Sequence, residues 1–256
     1  MKKTCLTIAA LACMGAAHAD DAGGPAVVPY RPSVSTPAQL SAPGWLELEA
    51  GGLRATGPDG SGASRTTLPY TLKLAFTPDW GIRIGGDAWV HQSVPGDSEN
   101  GIGDTAVVLK RRFAVSDATA WGLELGETFP TAKSSIGIGH AQTTVNGIFS
   151  SDFAPAWHTD INVNETHLGG SGQPSPWQAG WAVAVSRNLS DAWGAVGEFS
   201  GTHQSGTRNQ SQFLAAASWN ESPAAVFDFG AAHGLNNASP RWQVFAGVTV
   251  RLAKLF

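Results

Sequence analysis

The chain has 256 residues, of which 42% are hydrophobic and only 14% charged, well below the roughly 25% charge usual in soluble globular domains. Its formal net charge is −4, with lysines and arginines scattered singly, so no basic stripe exists to follow a phosphate backbone and nucleic acid is excluded as a partner. Ten tryptophans and 31 glycines beside two methionines favour a strand-and-turn protein over a helical one.

Residues 1–19 read as a signal peptide: Lys2 and Lys3 form a positive start, Leu6 to Met14 an apolar stretch, and Ala17, His18 and Ala19 a cleavage site. Both cysteines, Cys5 and Cys13, lie within it. Cleavage after Ala19 leaves no thiol for a disulfide or a metal site, and loss of the two lysines takes the formal charge from −4 to −6. The expectation is an exported, acidic protein. Residues 20–43 are rich in Ala, Pro and Ser and show no alternation. They read as a flexible N-terminal segment, with a plug folded into a lumen as the alternative.

From residue 44 to 256 no apolar run approaches the ~18 residues of a transmembrane helix. Apolar and polar residues alternate instead. Trp80, Ile82, Ile84, Ala88 and Val90 share one face of their segment against Arg83, Gly85 and Asp87; Trp157, Ile161 and Val163 oppose His158, Asp160, Asn162 and Asn164; Trp177, Trp181, Val183 and Val185 oppose Gln178, Gly180, Ala182 and Ser186. A period of two with one apolar face is a strand signal. About twelve such segments follow one another, near 45–55, 66–76, 80–90, 103–114, 120–129, 141–151, 156–168, 177–186, 192–203, 210–220, 224–235 and 241–252. Each is long enough, at ~9–11 residues, to cross a bilayer when tilted. Short connections alternate with mostly longer ones rich in Gly, Ser, Asn and Pro, near 56–65, 91–102, 130–140, 169–176, 204–209 and 236–240. That arrangement predicts an all-β protein, a transmembrane antiparallel up-and-down β-barrel of about twelve strands in a Gram-negative outer membrane.

The tryptophans fall where such a barrel needs them. Trp45, Trp80, Trp121, Trp157 and Trp193 open strands, Trp219 closes one at the same boundary, and Trp89, Trp177 and Trp242 mark the opposite boundary. Amphipathic rings favour the headgroup level, so these nine are the expected aromatic girdles. In the last segment Trp242, Val244, Ala246, Val248, Val250, Leu252 and the final Phe256 share a face. A terminal aromatic residue after an apolar alternation is the expected assembly signal, read by the barrel assembly machinery.

At this point the sequence resembles the outer-membrane proteins grouped under the putative MetA pathway of phenol degradation, a transporter-like family. The resembling pieces are Gly101 to Thr105, Phe129 to Thr131, Gly197 to Phe199, Asp228 to Gly230 with Gly234 and Leu235, and Trp242 to Leu252 with Gly247. The resemblance covers roughly 45–256. It implies a barrel involved with aromatic compounds and carries no catalytic signature.

The face opposite the apolar one should line the lumen: Glu47, Glu49, Lys73, Arg83, Asp87, Lys110, Arg112, Glu124, His158, Asp160, Glu198 and Asp228. Charges facing hydrocarbon are costly, so these must face water or pair. Arg83 and Lys110 lie on neighbouring segments, where Asp87 could supply a countercharge. Twelve strands lie between barrels filled by side chains at ~8 and open porins at ~16. The lumen is therefore either a channel for small solutes, among them aromatic or hydrophobic ones, or a closed interior of a structural or surface-interaction barrel. A lipid-hydrolase reading through His203, Ser205 or Ser218, and Asn220 fails on spacing, since His203 and Asn220 fall at opposite ends of the barrel. The other histidines lack metal-ligand spacing. The expectation is no enzyme, no cofactor and no metal, with outer-membrane lipids, the assembly machinery and small solutes as partners.

Overall fold

The computed structural model describes residues 23–256. The signal-peptide expectation for 1–19, with Cys5 and Cys13, lies outside the described residues. Every regular element among the described residues is a strand, because alternation runs through segments rich in β-branched and aromatic residues. In chain order they are β1 (Trp45–Thr56), β2 (Ser64–Ala75), β3 (Trp80–Val94), β4 (Asp97–Gly101), β5 (Thr105–Ala114), β6 (Thr119–Phe129), β7 (Gln142–Ala154), β8 (Trp157–His167), β9 (Trp177–Asn188), β10 (Trp193–Gln204), β11 (Gln210–Ser222), β12 (Ala225–Gly234) and β13 (Trp242–Lys254). Apart from β4 and β5, sequence neighbours pair antiparallel, and β1 pairs with β13 from Trp45↔Lys254 to Ala55↔Gln243, so the barrel closes. Both β4 and β5 pair with β3. They are one barrel strand interrupted at residues 102–104, and the thirteen segments make a closed twelve-strand antiparallel barrel.

The interruption corrects one boundary. Residues 91–102, read as a loop, instead prolong β3 to Val94 and return as β4 through a tight turn. A second correction concerns Val90. The β2–β3 register runs from Pro69↔Asp87 to Thr67↔Val90, three steps on β3 against two on β2. This bulge flips the phase of the strand. Val90, expected on the apolar outer face, is completely buried, while Trp89 beside it is exposed.

Elsewhere the two faces separate by residue type. Trp121, Leu123 and Leu125 are about half exposed, while Ala120, Gly122 and Glu124 between them are buried. Large apolar side chains exposed around a closed ring of strands form the band that hydrocarbon covers. At the end of the barrel carrying the short turns, Trp193, Trp219 and Phe227 are cross-strand neighbours with ring centroids 6.4 and 5.5 Å apart, and the guanidinium groups of Arg111 and Arg187 stand over Trp80 and Trp157. At the long-loop end His167 meets Trp177 and His233 meets Trp242, edge to face. Such rims, apolar inward and polar at the tip, suit a headgroup boundary.

Candidate functional site

Among the described residues the barrel interior gathers the buried charged side chains, because the outer face of the strands is apolar. Alternation brings charged side chains inward from separate strands, and most of them are buried. Lys73 Nζ lies 3.0 Å from Glu47 and 2.7 Å from Glu49, on the adjacent strand where Glu47 and Lys73 are direct cross-strand partners. Arg83 reaches Glu124 at 2.8 Å and Lys110 approaches it at 3.5 Å. Lys110 and Glu124 are themselves paired across β5 and β6. Buried charges must find such partners, since desolvation costs several kcal/mol per ion.

Asp87 does not serve Arg83 or Lys110 as the expected countercharge. Its neighbour is Arg65, at 3.7 Å, because Asp87 lies further along β3 than Arg83, toward the long-loop end where β2 begins. Arg65 also donates to the carbonyl of Ile136 in the loop before β7. His158 sits between Asp152 and Asp160, at 2.6 and 3.1 Å, and Asp160 also accepts from Ser150. Arg112 is placed near the short-turn end of β5 with its Nε buried and unpartnered. Asp160 and Glu198 do not meet each other: Glu198 has entirely different partners.

Those partners belong to residues 23–44, which run inside the barrel as an arch. Reading along it, Val28 N–H donates to Glu47, Tyr30 N–H to Glu49 at 2.6 Å, Val34 and Ser35 N–H to Glu198 at 3.1 and 2.9 Å, Thr36 N–H to Asn162 at 2.9 Å, and Ala38 N–H to Ser150 at 2.7 Å. Cations supply the complementary contacts: Lys73 donates to the carbonyl of Val28, Lys110 to that of Pro37 and Arg251 to that of Pro25. The wall thus satisfies the backbone of a chain whose one bridge to a strand is Pro43↔Ala75 at its end among the described residues, as any buried backbone requires. Two side chains anchor it. The Tyr30 ring lies 4.3 Å from Lys73 Nζ and 4.2 Å from Lys110 Nζ, a cation–π arrangement strengthened by desolvation, and its hydroxyl donates to Gln39 O. Arg31 forms two bonds to Asp228. Ala38 packs against Ala120 and Ile148 at the short-turn end.

The arch divides the interior. On the long-loop side a cavity of about 410 Å³ is lined by hydroxyl and amide side chains, among them Thr36, Asn146, Asn162 and Asn164, with the Arg83–Glu124 pair in its floor. On the short-turn side a cavity of about 290 Å³ is lined by Arg31, His158, Asp160 and the arch itself. Sequence reasoning passed over Asn146, Ser150 and Ser200 because it sought charges; their inward phase in the 141–151 and 192–203 segments was the available signal. Tyr30 and Arg31 carried no such signal, since the arch has no periodicity.

His203 faces outward and pairs with Asn209, whereas Asn220 lies at the opposite end of β11. Among the described residues, no group of three or more His, Cys, Asp or Glu side chains is placed to hold a metal ion.

No protein-family model and no curated protein matches the chain. Solved structures do. The fold is similar to an outer-membrane channel of the COG4313 group from Pseudomonas putida F1, with a TM-score of 0.65 over 84% of this chain and 98% of that one at 12% identity. It is also similar to the NanC porin, with a TM-score of 0.58 over 81% of this chain and 100% of that one at 10% identity. The KdgM porin gives 0.56 over 81% and 99% at 6% identity. At these identities the likeness establishes the architecture, the closed antiparallel barrel of outer-membrane proteins. The resemblance to the phenol-degradation family rests on its short motifs.

Proposed function

We propose that this chain is an outer-membrane channel whose lumen is occupied by its own N-terminal segment, residues 23–43, acting as a constriction. The observation that carries this reading is the arch: its backbone is held by side chains from β1, β2, β5, β7, β8 and β10, while cavities remain on both sides of it. A barrel needed only as a structural wall would gain more from a core of apolar side chains, since replacing buried ion pairs by well-packed hydrophobic residues is often neutral or stabilising. Long loops face outside and short turns the periplasm, following the general organisation of these barrels. The apolar band is solvated by outer-membrane lipids, and Phe256 is read by the assembly machinery.

The cargo on this reading is a small solute. The motifs shared with the phenol-degradation family favour aromatic compounds; the hydroxyl and amide lining of the outer cavity favours, within that class, molecules that carry hydroxyl groups. No reaction is assigned, because the lumen charges are engaged in pairing and in holding the arch. The test is current through planar bilayers containing the purified protein. Small ohmic steps reduced by an added phenolic solute support the channel; stable insertion without current overturns it in favour of a closed structural barrel.

A further inference from the structure

The outer cavity contains unspent hydrogen-bonding capacity. Asn146 is buried and lines the cavity, yet its Oδ1 has no partner; Arg83 Nε in the same floor has none either. The Asn164 amide and the Thr202 hydroxyl, also in the lining, make no side-chain hydrogen bond among the described residues. A donor or acceptor buried without a partner costs ~1–3 kcal/mol, so an occupant that pairs these groups is favoured over an empty or apolar-filled cavity. The formal charge of the lining is zero, because Arg83 and Glu124 neutralise each other at 2.8 Å. No aromatic ring presents its face to the space: Trp181 borders it through its strand, but the side chain is exposed on the outer face. The volume of about 410 Å³ lies within the range of small-molecule sites, ~300–1,000 Å³.

We propose that the outer cavity is a binding site for a neutral solute bearing several hydroxyl groups, of monosaccharide size, recognised by Asn146, Asn164, Thr202 and Arg83. This rests on the channel reading and goes beyond it: the cavity is the solute's entrance, and it takes a hydroxyl-rich solute in place of the aromatic one that the short motifs favour. The site is also wired to the arch. Asn162 clasps the backbone of Thr36 at both its N–H and its carbonyl, at 2.9 Å each, and Asn146 Nδ2 donates to Asn162 and Glu124. A hydroxyl that engages Asn146 therefore touches the residues that hold the arch.

The test is ligand-observed NMR on the purified mature chain in detergent micelles, with glucose, galacturonate and phenol as probes. Glucose is expected to bind, galacturonate and phenol about fivefold more weakly, and Asn146→Ala to weaken glucose by about fivefold, the loss of one hydrogen bond. Asn164→Leu, which breaks no protein hydrogen bond, is expected to do the same while leaving the heat-modifiable gel mobility intact, so that a misfolded Asn146→Ala does not decide the matter. Equal binding of all three probes, no binding of glucose, or glucose binding indifferent to Asn164→Leu overturns the proposal. Bilayer current without a glucose preference removes this site and leaves the channel; glucose binding with silent bilayers leaves a binding site and removes the channel.

Discussion

Arg31 in the N-terminal arch and Asp228 on β12 are joined by two hydrogen bonds of 3.0 Å, Nε to Oδ2 and Nη2 to Oδ1, although 197 residues separate them. The barrel wall is cut to receive this guanidinium: a Cβ placed on Gly247 would fall 2.5 Å from Arg31 Nε and one on Gly51 2.9 Å from Nη2. Two-point pairing fixes orientation as well as distance. Replacing Arg31 with Ala leaves Asp228 buried without its cation, a loss of about 3 kcal/mol in docking the arch. The expected result is a larger, noisier conductance from a barrel that still shows heat-modifiable mobility. The double variant Arg31→Asp with Asp228→Arg should recover part of the native current level; no recovery would show that the pair does not hold the arch.

Tyr30 covers Lys73 and Lys110. With Tyr30→Ala the two ammonium groups and the nearby Arg83 become accessible to ions in the pore, and charged linings set ion preference. The reversal potential in a salt gradient should shift toward anion selectivity. A shift toward cations, or none, would mean that Glu47, Glu49 and Glu124 already neutralise these groups.

Glu198 is fully buried and takes its hydrogen bonds from Val34, Ser35 and the Ser35 hydroxyl. Glu198→Gln exchanges one acceptor oxygen for a donor that opposes these donors. It should raise the frequency of large-conductance openings with little change in barrel stability, read from single-channel records beside thermal unfolding. A fall in stability with unchanged current would instead tie Glu198 to the wall.

The last strand offers a register test. Val248 faces the apolar band, and Val248→Arg should cost ~2–4 kcal/mol if near the bilayer midplane. Its neighbour Thr249 is buried with an unpartnered hydroxyl, so an arginine there would overfill the interior. The informative change is Thr249→Val, which keeps the shape and removes the unpaired group. It should be neutral or stabilising by up to ~1 kcal/mol. Destabilisation on chemical unfolding would show that the hydroxyl has a partner.

The barrel was legible in the sequence because a strand's side-chain period is two and lipid punishes a misplaced charge, so Trp157, Ile161 and Val163 and their opposing polar residues announce both the strand and its faces. Where the backbone breaks that period the reading slips, as at the bulge that turns Val90 inward. Pairing inside the lumen was beyond reach. Whether Asp87 meets Arg83 or Arg65 depends on strand tilt and stagger, which alternation does not encode. The arch was least legible of all: it is held largely through its backbone N–H and C=O groups, which every residue carries, joined by the Ser35 and Thr36 hydroxyls, the Tyr30 ring and the Arg31 guanidinium.

The most direct measurement compares single-channel conductance of a chain beginning at residue 20 with that of one beginning at residue 44, both inserted from detergent under the same salt. If the arch constricts a channel, the shortened barrel conducts severalfold more than the longer one and shifts toward anion selectivity, because loss of Tyr30 uncovers Lys73 and Lys110. Equal conductance, or silence from both, would contradict a channel gated by its own N-terminal segment.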